Sequence, residues 1–160
     1  MTEQHNITRI AAVGDIHVRE NVRGKWTEYF KEVSRRSDVL LICGDLTDTG
    51  DEVEAQVLAE ELKACSVPVI AVLGNHDFEK GRHKLIRQIV QNQNVHVLDG
   101  ESVVIGDVGF AVAPGEERGQ HAAVGACERA RATATAAVPR PDPGHADSLG
   151  CVERVIGSWS

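Results

Sequence analysis

A chain of 160 residues can bury a real core as one domain. Its net charge of −7, with no basic tract, argues against a protein held to nucleic acid by its own phosphate clamps and suits a carboxylate-lined cation site. Met1 to Ile10 is polar with no apolar signal core, and no apolar run approaches a membrane span.

The first strand is expected over Ile7 to Val13, ending at Gly14-Asp15-Ile16-His17. Asp15 and His17 are two apart, so on extended backbone both side chains leave on one side. A carboxylate and an imidazole aimed at one point make a metal-ligand pair. Trp26, Tyr29, Phe30 and Val33 then fall at i, i+3, i+4 and i+7, which predicts a helix with one apolar face. An aromatic stripe at that spacing belongs to the core.

Val39 to Cys43 is a continuous apolar run and so a strand buried on both faces. It leads into Gly44-Asp45-Leu46-Thr47-Asp48, where the glycine lets the backbone turn sharply and expose Asp45. Asp51 to Cys65 predicts the second helix, with Val53, Val57, Leu58, Leu62 and Cys65 along one side. Glu52 and Glu54 sit in its first turn, where the helix dipole favours them. Glu60 and Glu61 read as a solvated face.

Val67 to Leu73 is a third buried strand, followed directly by Gly74-Asn75-His76-Asp77. An amide and an imidazole side by side offer one oxygen ligand and one proton carrier. Leu85, Ile86, Ile89 and Val90 mark a third helix, closed by Asn92-Gln93-Asn94, with His83 ahead of it on the surface. Val95 to Leu98 is a short strand in which His96 carries no special role. Ser102 to Ile105 and Val108 to Ala113 flank Gly106-Asp107 and form a hairpin.

Strands alternating with helices imply an α/β fold: a largely parallel sheet with helices packed on its faces. No G-x-G-x-x-G or P-loop occurs, so a glycine-rich nucleotide cradle is not expected. Parallel strands point their carboxyl ends one way, so Asp15 and His17, Asp45 and Asp48, and Asn75 and His76 should converge on one edge. Unpaired carboxylates packed there would repel one another. A divalent cation removes the conflict, and two cations bridged by one aspartate remove it better. Oxygen and imidazole ligands without thiolate suit Mn, Fe, Zn or a similar metal. The four cysteines, Cys43, Cys65, Cys127 and Cys151, show no metal-binding spacing, and Cys43 and Cys65 read as small core residues of a reduced, cytoplasmic protein.

D-x-H, then G-D-x-x-D, then G-N-H-D, each after a strand, resembles the calcineurin-like metallophosphoesterase family over residues 7 to 113. The resemblance implies a dinuclear site: Asp15 and His17 would bind the first metal, Asp45 would bridge, and Asn75 would bind the second. His76 would protonate the leaving group or stabilise the phosphoryl charge, oriented by Asp77, while Asp48 would steady the ligands. The implied reaction is hydrolysis of a phosphodiester or phosphomonoester by a metal-activated water. Thr49 and Asp77 stand where the family's protein phosphatases usually carry Arg and Glu, so phosphodiesters or small phosphoesters are expected rather than phosphoproteins.

The family completes its site with a lone histidine and a G-H-x-H on later strands. This chain has Gly144-His145-Ala146-Asp147, one ligand short, and His121 without a flanking pattern. Ala, Arg, Gly and Pro make up 26 of the 50 residues from 111 to 160 but 23 of the first 110, so the tail lacks the apolar periodicity of another βαβ layer. The expected division is therefore a metallophosphoesterase-like α/β half at 1–113 and a low-complexity tail at 114–160. That tail is either disordered or the product of a GC-rich gene read out of frame after about Ala111. Arg129 to Ala137 could be helical on alanine content alone. The expected partner is a phosphoester substrate, and activity is expected to be impaired, with one metal held better than two. Two other readings stay open, a non-catalytic remnant or metal-binding scaffold and a metal-dependent nuclease.

Overall fold

A computed structural model of the chain describes residues 8–112, 124–128 and 133–134. In chain order these form β1 (Arg9–Gly14), α1 (Thr27–Arg36), β2 (Val39–Cys43), α2 (Glu52–Leu62), β3 (Val69–Val72), α3 (Asn75–Phe78), α4 (His83–Gln91), β4 (Val95–Val97), β5 (Ser102–Ile105), β6 (Val108–Val112), β7 (Val124–Glu128) and β8 (Thr133–Ala134). The main sheet has the order β4-β3-β2-β1-β8 and every pair in it is parallel. A second, antiparallel sheet has the order β5-β6-β7.

Alternation along the central strands feeds two cores. Ala11, Leu40, Ile42, Val69 and Ala71 face one way and pack with Phe30 and Val33 of α1, Val57, Leu58 and Leu62 of α2, and Ile86 and Val90 of α4. Ile10, Val39, Leu41, Ile70 and Val72 face the other way and pack with Val108, Phe110 and Val112 of β6. The parallel α/β sheet expected from the sequence is present, but among the described residues the helices cover one face and the small sheet covers the other. A hairpin with one apolar face screens that side as a helix would.

Three local expectations change. Glu61 does not lie on a solvated face. It is 5% exposed, and its carboxylate accepts hydrogen bonds from the backbone N–H of Gly24 and Trp26 (3.0 Å for the latter) and from Thr27 Oγ1 at 2.7 Å. It supplies the start of α1 with the acceptor that Trp26, at the N-cap, lacks. His83 is half-buried and stacks on Phe78, with ring centroids 4.5 Å apart. Val53 and Leu85 lie at the rim of the core, 37% and 43% exposed.

Two short strands beyond residue 112 join these sheets. β7 pairs with β6 in the register Val112↔Val124 to Val108↔Glu128, and β8 pairs with β1 through Arg9↔Thr133 and Ile10↔Ala134. Thr133–Ala134 thus lies in a strand, within the stretch whose alanine content would allow a helix. Strand pairing uses main-chain donors and acceptors, which side-chain composition does not report. His121, His145 and Cys151 lie outside the described residues. Among the described residues no helix is long and apolar enough to cross a membrane.

Candidate metal centre

The strands that carry the three motifs end level with one another. Gly14 pairs with Cys43, and Cys43 with Val72, so the chain leaves β1, β2 and β3 at one height on the carboxyl edge. The parallel pairing continues into the loops. His17 N–H donates to Asp45 O at 3.0 Å, Val18 N–H to Leu46 O at 3.0 Å and Asp48 N–H to Val18 O at 3.2 Å. Asp15, His17 and Asp45 all adopt positive φ, at 51°, 42° and 47°. Left-handed backbone at non-glycine residues costs energy and persists where the surroundings enforce it, most often at functional sites.

The loops also interlock through side chains. Asp77 is fully buried, and its carboxylate accepts from Leu46 N–H (3.1 Å), Thr47 N–H (2.8 Å), Thr47 Oγ1 (2.6 Å) and Gly74 N–H (2.9 Å). Burial pushes its carboxyl above the usual range, and these donors work against that push. Asp45 Oδ1 accepts from His76 N–H at 3.0 Å, which ties the second motif to the third. Gly74 has to be glycine for this approach, because a Cβ there would overlap the carboxylate and backbone nitrogen of Asp45.

The result is a triad. One donor atom each from His17, Asp45 and His76 lie within 4.8 Å of one another. His17 Nε2 is 3.9 Å from Asp45 Oδ2, and the two imidazole rings meet edge to face with centroids 4.5 Å apart. His76 Nδ1 is 2.7 Å from the carbonyl of Asp48. A carbonyl only accepts, so Nδ1 carries the proton and Nε2 is the atom left available. That hydrogen bond raises the His76 pKa, with smaller help from the charges of Asp45, Glu79 and Asp48. His17 Nδ1 is buried without a hydrogen-bond partner, and Asp48 Oδ1 faces it at 3.5 Å.

Each residue named from the sequence lies on this edge, in a somewhat different grouping. His17 and Asp45 come together, and His76 joins them as a third donor. Asp15 follows directly on β1, its N–H donating to Gly44 O at 3.3 Å and its charge felt by the Cys43 thiol, which burial and then Asp15 push up. Its carboxylate is not one of the triad. Asn75 is exposed at the start of α3, immediately before His76. Asp77 holds the second loop against the third, and the ring of His76 is held by Asp48. The sequence carried no sign of which acidic residue would turn inward, because both follow a glycine by a few positions.

A family model for calcineurin-like phosphoesterases matches residues 8–128. The chain belongs to the calcineurin-like phosphoesterase family. Among solved structures, phosphopantetheinyl hydrolase from Mycobacterium tuberculosis aligns at 15% identity with a TM-score of 0.44, over 67% of this chain and 42% of that one. The chain thus spans less than half the length of that structure. No curated protein matches the sequence. Phosphoesterases of this family are metal-dependent, and the donor chemistry fits. Two imidazoles and a carboxylate, without thiolate, suit a divalent transition ion. The buried, unpartnered Nδ1 of His17 is the back side of an imidazole whose front faces Asp45 and His76.

Proposed function

We propose that the chain is a metal-dependent phosphoester hydrolase acting on phosphodiesters or small phosphomonoesters. The observation that carries this reading is the convergence of His17, Asp45 and His76 on the carboxyl edge of the sheet within a family match of 121 residues, 8 to 128 counted inclusively. His17 and Asp45 would hold a divalent cation, with His76 the third donor in reach and Asp15 and Asn75 on the same edge for a second. A bound cation supplies Lewis acidity, lowering the pKa of water and neutralising phosphoryl charge.

The chain's own residues do the positioning. Asp48 O accepts the Nδ1–H of His76 and so fixes the ring with Nε2 as its free nitrogen, which acts as a ligand when bare or as a proton donor when protonated, not both at once. Asp77 and Thr47 lock the second loop to the third, so Asp45 and His76 keep their separation. Thr49 and Asp77, at the positions where protein phosphatases of this family usually carry Arg and Glu, support small phosphoesters over phosphoproteins. Three close donors favour one tightly held cation and a weakly held second, and hence slow turnover.

The test is hydrolysis of bis-nitrophenyl phosphate, nitrophenyl phosphate and a phosphopeptide with Mn²⁺, alongside an Asp45→Ala control. Diester or small monoester turnover that the control abolishes is expected. Fastest turnover of the phosphopeptide would reject the substrate class. Metal binding with no turnover on any substrate would leave the chain a metal-binding scaffold.

A further inference from the structure

Arg19 is on no motif, yet it stands one side chain behind the centre. Its guanidinium grips the Asp48 carboxylate at two points, Nε to Oδ2 at 2.9 Å and Nη2 to Oδ1 at 3.4 Å. Asp48 in turn meets both site histidines. Its Oδ1 faces the buried His17 Nδ1 at 3.5 Å, and its backbone carbonyl accepts from His76 Nδ1 at 2.7 Å. The D-x-H stretch continues as Asp15, His17 and Arg19, and the Asp48 N–H donates to Val18 O at 3.2 Å, so the two loops run side by side at this point.

We propose that Arg19 is a positioning residue for the metal centre: by clamping Asp48 it sets the proton-bearing nitrogen and ring orientation of His17. The inference rests on the metal-dependent reading above. The physical need is specific. Asp48 is an aspartate with few torsions, 22% exposed, and could turn its carboxylate to water. A two-point guanidinium contact removes that freedom, because the planar fork matches a carboxylate in one orientation. Held there, Asp48 Oδ1 stands 3.5 Å from His17 Nδ1 without completing a hydrogen bond, and its charge favours the tautomer with the proton on Nδ1, which leaves the Nε2 lone pair toward Asp45. An imidazole ligand generally needs such a partner on its far nitrogen, and removing it usually weakens metal affinity about 10- to 100-fold. Arg19 is itself 63% exposed, so the pair adds little to global stability and its loss should leave the fold intact.

The experiment compares wild type with Arg19→Gln, Arg19→Lys, Asp48→Asn and the Arg19→Gln/Asp48→Asn double variant. Long-range ¹⁵N correlation of the histidine rings in metal-free protein reads the tautomer of His17 directly. Calorimetric titration with Mn²⁺ reads affinity. Wild type should show His17 protonated at Nδ1. Arg19→Gln should show a tautomer mixture and about 10-fold weaker Mn²⁺ binding, Arg19→Lys should recover part of both, and Arg19→Gln should add nothing in the Asp48→Asn background. An unchanged His17 spectrum and unchanged Mn²⁺ affinity in Arg19→Gln would overturn the proposal, as would a full additional loss in the double variant. The tautomer measurement needs neither metal nor turnover. A catalytically silent chain with the expected shift would therefore reject the hydrolase reading and keep this one.

Discussion

Gly74 shows how a single missing atom can hold a site together. Its φ of −107° is open to any residue, so the requirement is contact rather than conformation. A methyl group in its place would push Asp45 away from His76 N–H and from His17 together. Gly74→Ala should therefore cost about 1–3 kcal/mol in urea unfolding, as overpacking does, and weaken Mn²⁺ binding as well. Gly81 has a positive φ of 66° but open space where a Cβ would stand, so Gly81→Ala should affect folding through backbone strain and leave Mn²⁺ affinity unchanged. Equal affinity in wild type and Gly74→Ala would show that Asp45 has room to move.

At the scale of elements, most of the fold was legible because period and run length survive in the sequence. The three strand candidates, Ile7 to Val13, Val39 to Cys43 and Val67 to Leu73, became the three central strands, and Trp26, Tyr29, Phe30 and Val33 formed the buried side of α1. The site was legible as far as the three strand ends. The partners that hold it were not. Glu61 looks like a surface acid in one dimension and Asp77 like a partner of His76, and only the packed chain shows the N–H groups from which each accepts. The pairing of β7 and β8 was hidden for the same reason, since main-chain hydrogen bonds leave no mark on composition. The role of Glu61 is testable on α1. Glu61→Ala leaves the buried Trp26 N–H without an acceptor and should destabilise the chain by about 1–3 kcal/mol. A loss well under 0.5 kcal/mol, roughly the scatter of ordinary surface substitutions, would mean that water replaces the carboxylate.

Across the whole molecule, exposed ion pairs join elements far apart in sequence: Arg9 to Asp38, Lys80 to Asp51, Arg82 to Glu52 and Arg87 to Glu101. Each of these carboxylates has a lowered pKa, first through a hydrogen bond from its basic partner. A lowered folded pKa gives stability that is present above the unfolded pKa and is lost as pH falls through the folded one. Asp77, raised by burial, works in the opposite sense and regains stability as it protonates. Glu28 and Glu32 are lowered as well, so in the acid range six lowered carboxylates oppose one raised, His76 having already taken up its proton at higher pH, and the urea midpoint should decline below about pH 5. Because the pairs are exposed, about 0.5 M salt should flatten that decline. A midpoint independent of pH from 7 to 3 would show that the pairs contribute nothing. The continuation of parallel pairing past the strand ends carries a consequence in time rather than in energy. The amides of His17, Val18, Leu46, Thr47, Asp48 and His76 all have acceptors in neighbouring loops. They should exchange with deuterated water at rates close to those of β1 and β2, not at the rates of surface loops. Protection in metal-free protein would mean that a cation arrives at ligands already waiting for it, while fast exchange at His17 and Val18 would mean that the ion itself gathers them.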